Sequence, residues 1–435
     1  MPKKENLNYH ELEKGLKQFL ARSGPSSASE AYRHLGCSQA TFSRLLSRME
    51  GRVLQVGKGR LTRYALLGML PDGHAKVPVY AIKEDGTAKS VALLHGIEPK
   101  GYYLESKTET LSSNFYPSLP YLFEDLRPSG FLGRLVPRLY PALQAPDNIQ
   151  NWNDADCLQY LTQYGWDLIG NYLLGENAFE QYLRNTLYPP DLIPREIRPK
   201  RYPELAERVM SVGIPGSSAA GEHPKFLAMR KDPREIIPVL VKFSPPLSDP
   251  ISKRVADLLI CEHLAHQVLR AHGQISATSC LLVGENRLFL EVERFDRTGK
   301  GRKGLLSLRS LDLQFVGNLK SWTDTAEALF SQKKIDAAAL ATIRWLEIFG
   351  RLIGNTDMHH GNLSFFHDGE KLLGLAPVYD MLPMLYAPQQ NQLVLRDFKP
   401  SLPKPSESSV WTGAWKAACD FWQEVVNCQQ VTDEF

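Results

Sequence analysis

The 435-residue sequence contains no uninterrupted apolar run long enough to cross a bilayer, and no signal-peptide pattern opens it. Its six cysteines form no Cys-x-x-Cys pair and no disulfide framework. We therefore expect reduced thiols, no membrane insertion and a cytoplasmic protein. With 43% hydrophobic residues, the chain is long enough to form two or three domains with substantial cores.

Aspartate is absent from the first 70 residues, where 12 Lys and Arg stand against 5 Glu. That end therefore has a net charge of +7, and because the whole chain has +3, the remainder has −4. A basic segment at one end favours a nucleic-acid partner for that segment.

The basic end also has a helical pattern of its own. Helices are predicted over Leu12 to Leu20, Ser26 to Leu35 and Gln39 to Met49, and Gly36 lies in the short turn before the third. Alternating residues from Arg52 to Ala65 then predict a hairpin. The whole resembles a winged helix-turn-helix domain.

This resemblance implies binding of double-stranded DNA. It places one set of side chains toward base edges in the major groove: Ser38, Gln39, Thr41, Ser43 and Arg44. It places a second set on the DNA phosphates: Lys58, Arg60 and Arg63. The alternative is a winged helix that binds protein and whose charges are merely solvated.

The most informative stretch lies near the C-terminus, where Asp357, Asn362 and Asp380 occur within one short region. Phosphoryl transfer from a magnesium nucleotide needs such a set. One Asp can orient and deprotonate an attacking hydroxyl, while the Asn and the second Asp supply oxygen ligands to Mg²⁺. Alone, an Asp-x-x-x-x-Asn pattern is weak, since both residues are common in loops.

The elements around these residues strengthen the pattern. An apolar helix is predicted from Ala338 to Leu352, followed by short strands at Leu363 to Phe366 and Leu372 to Leu375. Asp357 and Asn362 would lie on the loop before this hairpin, and Asp380 on the loop after it.

The quoted motifs, Asn-Thr-Asp-Met-His-His-Gly-Asn and Val-Tyr-Asp-Met-Leu-Pro, resemble those of the HipA family of bacterial serine/threonine kinase toxins. The resemblance implies that Asp357 is the catalytic aspartate and that Asn362 and Asp380 are magnesium ligands. It implies an α+β, protein-kinase-like fold of two lobes and ATP with Mg²⁺ as cofactors. HipA toxins phosphorylate a cellular protein, an aminoacyl-tRNA synthetase in the known pattern, and work with a helix-turn-helix antitoxin.

Upstream segments occur in the order that a kinase requires. The apolar strand Ile236 to Phe243 carries Lys242, which the resemblance places on the nucleotide phosphates. The segment Leu288 to Arg297 resembles the HipA hinge: Glu293, Arg294 and Phe295 would lie along the adenine edge, and Asp296 near the ribose. Asp257 and Glu262 are both candidates for the acid that pairs with Lys242, and the sequence does not choose between them.

A glycine-rich segment, 213 to 225, would cover the phosphates. Its spacing partly matches a Walker A loop, but Glu222 and His223 replace the required Lys and Ser or Thr. In the HipA family this loop holds a serine that is autophosphorylated. Ser218 falls at that position, with Ser217 as second choice, and Gly221 and Lys225 complete the nucleotide-binding set. The alternative is a surface loop without a ligand.

The sequence leaves two rival functions open. Asp357, His359, His360 and Asp380 could ligate a transition metal in a nuclease or hydrolase. The chain could also be a transcription regulator with a degenerate kinase fold. For His359, a hydrogen bond that stabilises the loop is a simpler role than metal ligation.

We expect three regions: a winged helix at 1–70, a small β subdomain at 71–145 and a kinase core at 146–435. Within the second region, Val77 to Lys83 and Val91 to Leu94 predict a strand pair. The proline-containing stretch from Pro189 to Pro203 predicts an ordered connection instead of a helix or strand. One set of residues recurs at helical spacing near the C-terminus and predicts a core stripe: Trp411, Trp415, Ala418, Trp422 and Val425.

Overall fold

The N-terminal region folds as three helices and a hairpin in the structure, a computed structural model that describes residues 8–189, 191–213 and 223–435. Leu16, Leu20, Phe42 and Leu45 are buried between the helices and pack against Tyr64 of the hairpin. The order and pairing of the elements resemble a winged helix. In chain order they are α1 (Tyr9–Ser23), β1 (Ser26–Ser27), α2 (Ala28–His34), α3 (Gln39–Arg48), β2 (Val53–Val56) and β3 (Arg63–Gly68).

A middle region follows and extends the same sheet. β3 pairs with β5 at Leu67 opposite Ile97 and at Gly68 opposite Gly96, so hairpin and middle region share backbone hydrogen bonds. The predicted strand pair is confirmed as β4 and β5, which pair antiparallel. The elements of this region are β4 (Lys76–Ile82), β5 (Ala88–Ile97), β6 (Tyr102–Ser106), β7 (Asn114–Tyr116), α4 (Gly130–Leu139), α5 (Asp154–Tyr164), β8 (Tyr172–Leu174) and α6 (Glu176–Leu187).

A five-stranded sheet with two helices forms the small lobe of the core. Its strand order is β12-β13-β11-β10-β9. Tyr202 of α7 packs on one face against Phe226, Phe243 and Phe289. The elements are β9 (Leu192–Pro194), α7 (Arg198–Ser211), β10 (Lys225–Lys231), β11 (Ile236–Phe243), α8 (Pro250–Ala271), β12 (Ser279–Gly284) and β13 (Arg287–Glu293).

The predicted connection over residues 189–203 is wrong in its second half, because α7 begins at Arg198. Pro199 lies in the first turn, where its missing N–H removes no helical hydrogen bond. Tyr202 and Ala206 are fully buried against the sheet. Tertiary packing therefore sustains a helix that the proline content argued against.

Helices dominate the large lobe, which also carries a three-stranded sheet in the order β14-β15-β16. The predicted apolar helix and the hairpin that follows it are confirmed as α11 and as β15 with β16. The elements are β14 (Gly304–Ser307), α9 (Leu308–Phe315), α10 (Trp322–Ser331), α11 (Ala337–Leu352), β15 (Ser364–Asp368), β16 (Lys371–Leu375) and α12 (Ser408–Asn427).

The predicted C-terminal core stripe is only partly right. Ala418 and Val425 of α12 are buried, but the side chain of Trp415 is 45% exposed. Ala414 and Phe421 are fully buried instead, so the buried face of α12 is rotated from the one that the tryptophans predicted.

The two lobes meet after β13 and give the predicted α+β, kinase-like architecture. Within the described ranges, none of the helices is long and apolar enough to cross a bilayer.

Candidate active site

A buried lysine pairs with two acids where the lobes meet. Lys242 of β11 donates from Nζ to Oε1 and Oε2 of Glu262, at 2.6 and 2.7 Å, and also contacts Oδ1 of Asp380. Lys242 is 4% exposed and Glu262 of α8 is 1% exposed. Two carboxylates, one from α8 and one from a loop 138 residues beyond Lys242 in the chain, therefore converge on the single ammonium group of β11.

The charges of this cluster shift one another's pKa values. Burial alone would lower the pKa of Lys242, but Asp380 and Glu262 outweigh it and raise the pKa. Burial would raise the pKa of Asp380, but Lys242 and Lys225 hold it well below its usual range. Burial raises the pKa of Glu262, and Lys242 offsets only part of this effect. Both acids therefore favour the charged form of Lys242.

Glu262 is the functional residue that sequence reasoning left unassigned. Asp257, the other candidate, accepts hydrogen bonds from the backbone N–H and the hydroxyl of Thr432, at 3.0 and 2.6 Å. Spacing did not separate the two candidates, because Asp257 and Glu262 are each 1% exposed and most residues of α8 are buried. Each buried acid needs a partner, and only the fold shows that Asp257 has Thr432 and that Glu262 has Lys242.

Asp357 and Asn362 are held together by the loop after α11. The Nδ2 of Asn362 donates to the backbone carbonyl of Asp357 at 2.8 Å, and the backbone N–H of Asp357 donates to Oδ1 of Asn355 at 3.0 Å. Asn355 and Asn362 are buried, whereas Asp357 is exposed to the cleft. The loop thus fixes the backbone of Asp357 and presents its side chain.

The donor set at Asn362 and Asp380 fits a hard divalent cation. Because Nδ2 of Asn362 is committed as a donor to Asp357, its Oδ1 is the end that can accept a cation. Asp380 adds a carboxylate and has a φ of +53°, a conformation uncommon for residues other than glycine. Carboxylate and amide oxygens are the ligands that Mg²⁺ prefers.

The two adjacent histidines face different partners. His359 accepts at Nδ1 from the backbone N–H of Gly361 at 3.0 Å, the stabilising hydrogen bond expected from the sequence. His360 is buried and its Nε2 lies 2.9 Å from the hydroxyl of Thr325, and burial lowers the pKa of His360. Across the described parts of the chain, no three His, Cys, Asp or Glu side chains are grouped as a metal site.

The predicted hinge forms a buried ionic network. Asp296 is 4% exposed and accepts from Arg294 at 3.2 Å, from Arg297 at 2.6 Å and from the backbone N–H of Gly170 at 2.9 Å. Asp167 pairs with the same two arginines, each at 2.8 Å. The Asp296 carboxylate thus already has partners within the protein, and its predicted ribose contact stays a prediction.

The other two hinge residues also have contacts within the protein. Glu293 pairs with Arg230 at 2.9 Å. The ring of Phe295 packs 5.6 Å from that of Tyr379. A role along an adenine edge stays a prediction for both.

A cleft of about 1600 Å³ connects these groups, and Lys225, Lys242, Asp357, Asn362 and Asp380 all line it. Lys225 lies opposite Lys242 on paired strands β10 and β11. The remaining predicted residues of the covering loop lie outside the described residues: Ser217, Ser218 and Gly221.

Comparisons with known proteins show which family this chain belongs to. A model described as the HipA-like C-terminal domain matches residues 217–429, and one described as the YjjJ-like toxin middle domain matches residues 73–183. The chain is 38% identical over 421 residues to Toxin YjjJ of Escherichia coli (strain K12), covering 96% of this chain and 94% of that protein. The chain belongs to the HipA-like toxin family. The match to the HipA-like model spans the residues described above at the meeting point of the lobes: Lys225, Lys242, Glu262, Asp357, Asn362 and Asp380.

Two solved structures are similar to this HipA-like toxin. One is the Shewanella oneidensis MR-1 toxin–antitoxin system HipA, HipB and its operator DNA complex, with a TM-score of 0.49 and 16% identity over 80% of this chain and 90% of that one. The other is the Helicobacter pylori proinflammatory kinase CtkA, with a TM-score of 0.29 and 21% identity over 38% and 55%. Because both scores are low, family membership depends on the sequence matches.

The N-terminal domain of this HipA-like toxin presents only part of the predicted DNA-contacting set. Ser38 caps α3, because its hydroxyl accepts from the backbone N–H of Thr41 at 3.2 Å. Thr41 is 6% exposed and its hydroxyl lies 2.9 Å from that of Ser38, so little of its side chain faces solvent. Its predicted contact in the major groove stays a prediction. The remaining members of the set are exposed: Gln39, Ser43, Arg44, Lys58, Arg60 and Arg63.

Proposed function

We propose that this toxin is an ATP-dependent protein kinase that transfers a phosphoryl group to a serine or threonine hydroxyl of a cellular protein. The pairing of Lys242 with both Glu262 and Asp380 carries the proposal. A strand lysine fixed by a helix glutamate, beside a cation-binding Asp, is the arrangement that phosphoryl transfer uses. Structural ion pairs also occur in ordinary cores, but this one faces a large cleft that holds Asp357 as well.

Each residue of the cluster has a distinct role in this proposal. Lys242 contacts the nucleotide phosphates, and Glu262 orients its ammonium group. Asn362 and Asp380 would hold Mg²⁺, which neutralises charge on the phosphates. Asp357 orients the acceptor hydroxyl and takes its proton.

The ATP site of the proposal extends from the phosphates to the hinge. We assign the adenine edge to Glu293, Arg294 and Phe295. Asp296 acts by keeping Arg294 in place, since its carboxylate bonds that guanidinium. Lys225 lies beside Lys242 and adds positive charge where the phosphates would bind.

A direct experiment separates a kinase from a nuclease. Full-length protein is incubated with Mg²⁺, γ-labelled ATP and a cell lysate, and in parallel with duplex DNA and Mg²⁺, Mn²⁺ or Zn²⁺ without nucleotide. We expect labelled protein bands that depend on both ATP and Mg²⁺, and intact DNA. Cleaved DNA in the absence of nucleotide, with no labelled protein, would favour the metal-dependent nuclease.

Autophosphorylation of the covering loop is part of the same proposal. Ser218, with Ser217 as second choice, is the expected acceptor, and a phosphate there would place two negative charges beside Glu222 and disfavour a closed loop. Mass spectrometry after long incubation with Mg-ATP locates the phosphate. Modification only at other serines would remove this regulatory role.

We also propose that residues 1–70 bind double-stranded DNA and that a helix-turn-helix antitoxin can join the complex. The +7 charge of that region and its exposed Arg44, Lys58 and Arg60 support DNA binding. The HipA of Shewanella oneidensis was solved with HipB and operator DNA, which motivates the antitoxin. An aminoacyl-tRNA synthetase is our candidate protein substrate, and the cytoplasm the expected compartment.

The three-region division at residues 70 and 145 is retained as a proposal. Because β3 pairs with β5, the first boundary crosses a continuous sheet. The full chain is therefore the suitable material for binding experiments.

A further inference from the structure

A buried polar network reaches the catalytic loop from two neighbouring helices. Asp312 of α9 is 0% exposed and accepts a hydrogen bond from the hydroxyl of Thr325 on α10. The same hydroxyl lies 2.9 Å from Nε2 of His360, and Thr325 is also fully buried. None of these three residues has a part in the phosphotransfer described above.

The direction of these hydrogen bonds follows from the donors available. Asp312 also accepts from the backbone N–H groups of Asn318 and Leu319, at 2.8 and 3.1 Å, as expected for an ionised carboxylate. A carboxylate can only accept, so the single proton of Thr325 is donated to Asp312. The Thr325 oxygen is then available to accept from His360 in the tautomer that carries its proton on Nε2, and the 2.9 Å contact holds the ring against α10.

A second contact from α10 holds the neighbouring residue of the loop. The indole N–H of Trp322 donates to the backbone carbonyl of His359 at 3.1 Å. The backbone N–H of Asn362 donates to the same carbonyl at 3.0 Å. The first turn of α10 is therefore hydrogen-bonded to the segment between Asp357 and Asn362.

We propose that Asp312, Thr325 and His360 are positioning residues that set the distance and orientation between Asp357 and Asn362. This inference rests on the proposed kinase function for its consequence in catalysis. The reason is geometric: Asp357 must face the acceptor hydroxyl while Asn362 faces the cation, and displacements of about 1 Å can slow a reaction by about a hundredfold. A buried, fully bonded network holds a loop at that tolerance better than exposed contacts do.

The decisive variant is Thr325→Val, which keeps the shape of the side chain and removes the hydroxyl. We expect kcat for phosphotransfer to fall by about tenfold to a hundredfold, while KM for ATP stays within about twofold. Thr325→Ser retains the hydroxyl and should restore most of kcat.

Thr323→Val is the matched control on the same helix. Its hydroxyl bonds Glu347 of α11. It should lose stability without the loss of kcat.

Amide hydrogen exchange of residues 357–362 tests the positioning role without any need for activity. Thr325→Val should accelerate exchange there, and Thr323→Val should not. Equal exchange and equal kcat in the two variants would overturn the inference. If the wild type transfers no phosphate, the kinase proposal fails and the exchange result alone decides this one.

If Thr325→Val does not fold, Asp312→Asn serves in its place. Its Oδ1 still accepts the two backbone N–H groups, but its amide nitrogen cannot accept the proton of Thr325, so the charged acceptor at the end of the network is lost. The same loss of kcat and the same faster exchange are expected. Wild-type values in a folded Asp312→Asn protein would overturn the inference.

Discussion

The cleft differs from the N-terminal region, residues 8–68, in how it places its predicted functional residues; that region resembles a winged helix and is called the winged helix below. In the cleft, Lys242 is 4% exposed and paired with two acids. In the winged helix, Arg44, Lys58 and Arg60 are exposed and extend into solvent, while Ser38 and Thr41 serve the helix itself. A buried charge is stable only when it is paired, so the fold itself requires the ion pairs in the cleft. Exposed charges carry no such constraint, so their role depends on a partner.

Removing the proposed catalytic aspartate should have the largest effect in this comparison. Asp357→Asn should lower kcat by on the order of a hundredfold or more while leaving Mg-ATP binding nearly intact, since it removes the base and a transition-state charge. Steady-state rates with labelled ATP measure this. Asp368→Asn, an exposed Asp on the following hairpin, is the control and should keep its rate. Full activity in Asp357→Asn would rule out its catalytic role.

Neutralising the helix glutamate should impair ATP use with little loss of stability. In Glu262→Gln, Lys242 keeps Asp380 as its ionic partner, so no unpaired buried cation remains. We expect kcat/KM for ATP to fall by about tenfold or more, because the ammonium group is no longer oriented. Asp257 of the same helix accepts from Thr432 and does not pair with Lys242. Asp257→Asn is therefore the control and should leave kcat/KM unchanged. Equal effects from both variants would mean that α8 contributes only stability.

The hinge carboxylate should matter for stability in a pH-dependent way. Burial alone would raise the pKa of Asp296, but Arg294 and Arg297 lower it below the ordinary 3.8. Its stabilisation is thus present above about pH 4 and is lost as pH falls through the lowered pKa. Asp296→Asn should cost on the order of 3 kcal/mol of unfolding free energy at pH 7. Denaturant titrations from pH 7 to 3 should show that cost shrinking in acid, and a constant difference would contradict the ionic account.

Substitutions in the winged helix should have the smallest effects, and these should be changes in DNA affinity that depend on salt concentration. Replacing both Lys58 and Arg60 by Ala should weaken DNA binding by the full chain on all sequences and flatten the salt slope by about one unit per lost contact. Arg44→Ala should instead change which sequence is preferred. Arg48 of the same helix pairs with Glu13 at 3.1 Å, so Arg48→Ala is the matched control. Absence of DNA binding even at low salt would favour the protein-binding alternative.

Local patterns predicted the elements better than they predicted the contacts. The periodicity of α11 and the turn in its hairpin placed Asp357, Asn362 and Asp380 on the right loops. The pairing of Lys242 with Glu262 required α8 to lie beside β11, which no local pattern states. For Thr41 a local signal existed: Leu45 lies four residues on, so helical spacing puts both residues on one buried face, while the resemblance alone placed Thr41 in a groove.

The Asp312, Thr325 and His360 network lay beyond sequence reasoning for the same reason. Its members come from α9, α10 and the loop after α11, and no spacing rule links them. Only the packing of these elements shows that one buried carboxylate reaches the catalytic loop.

Calorimetric titration of Mg-ATP into the full-length protein tests the central claim, that the cleft is a magnesium-nucleotide site. We expect saturable one-to-one binding that requires Mg²⁺ and that Asp380→Ala weakens by about tenfold or more, because that variant removes a cation ligand beside Lys242. No binding by the wild type, or equal affinity in Asp380→Ala, would contradict the account.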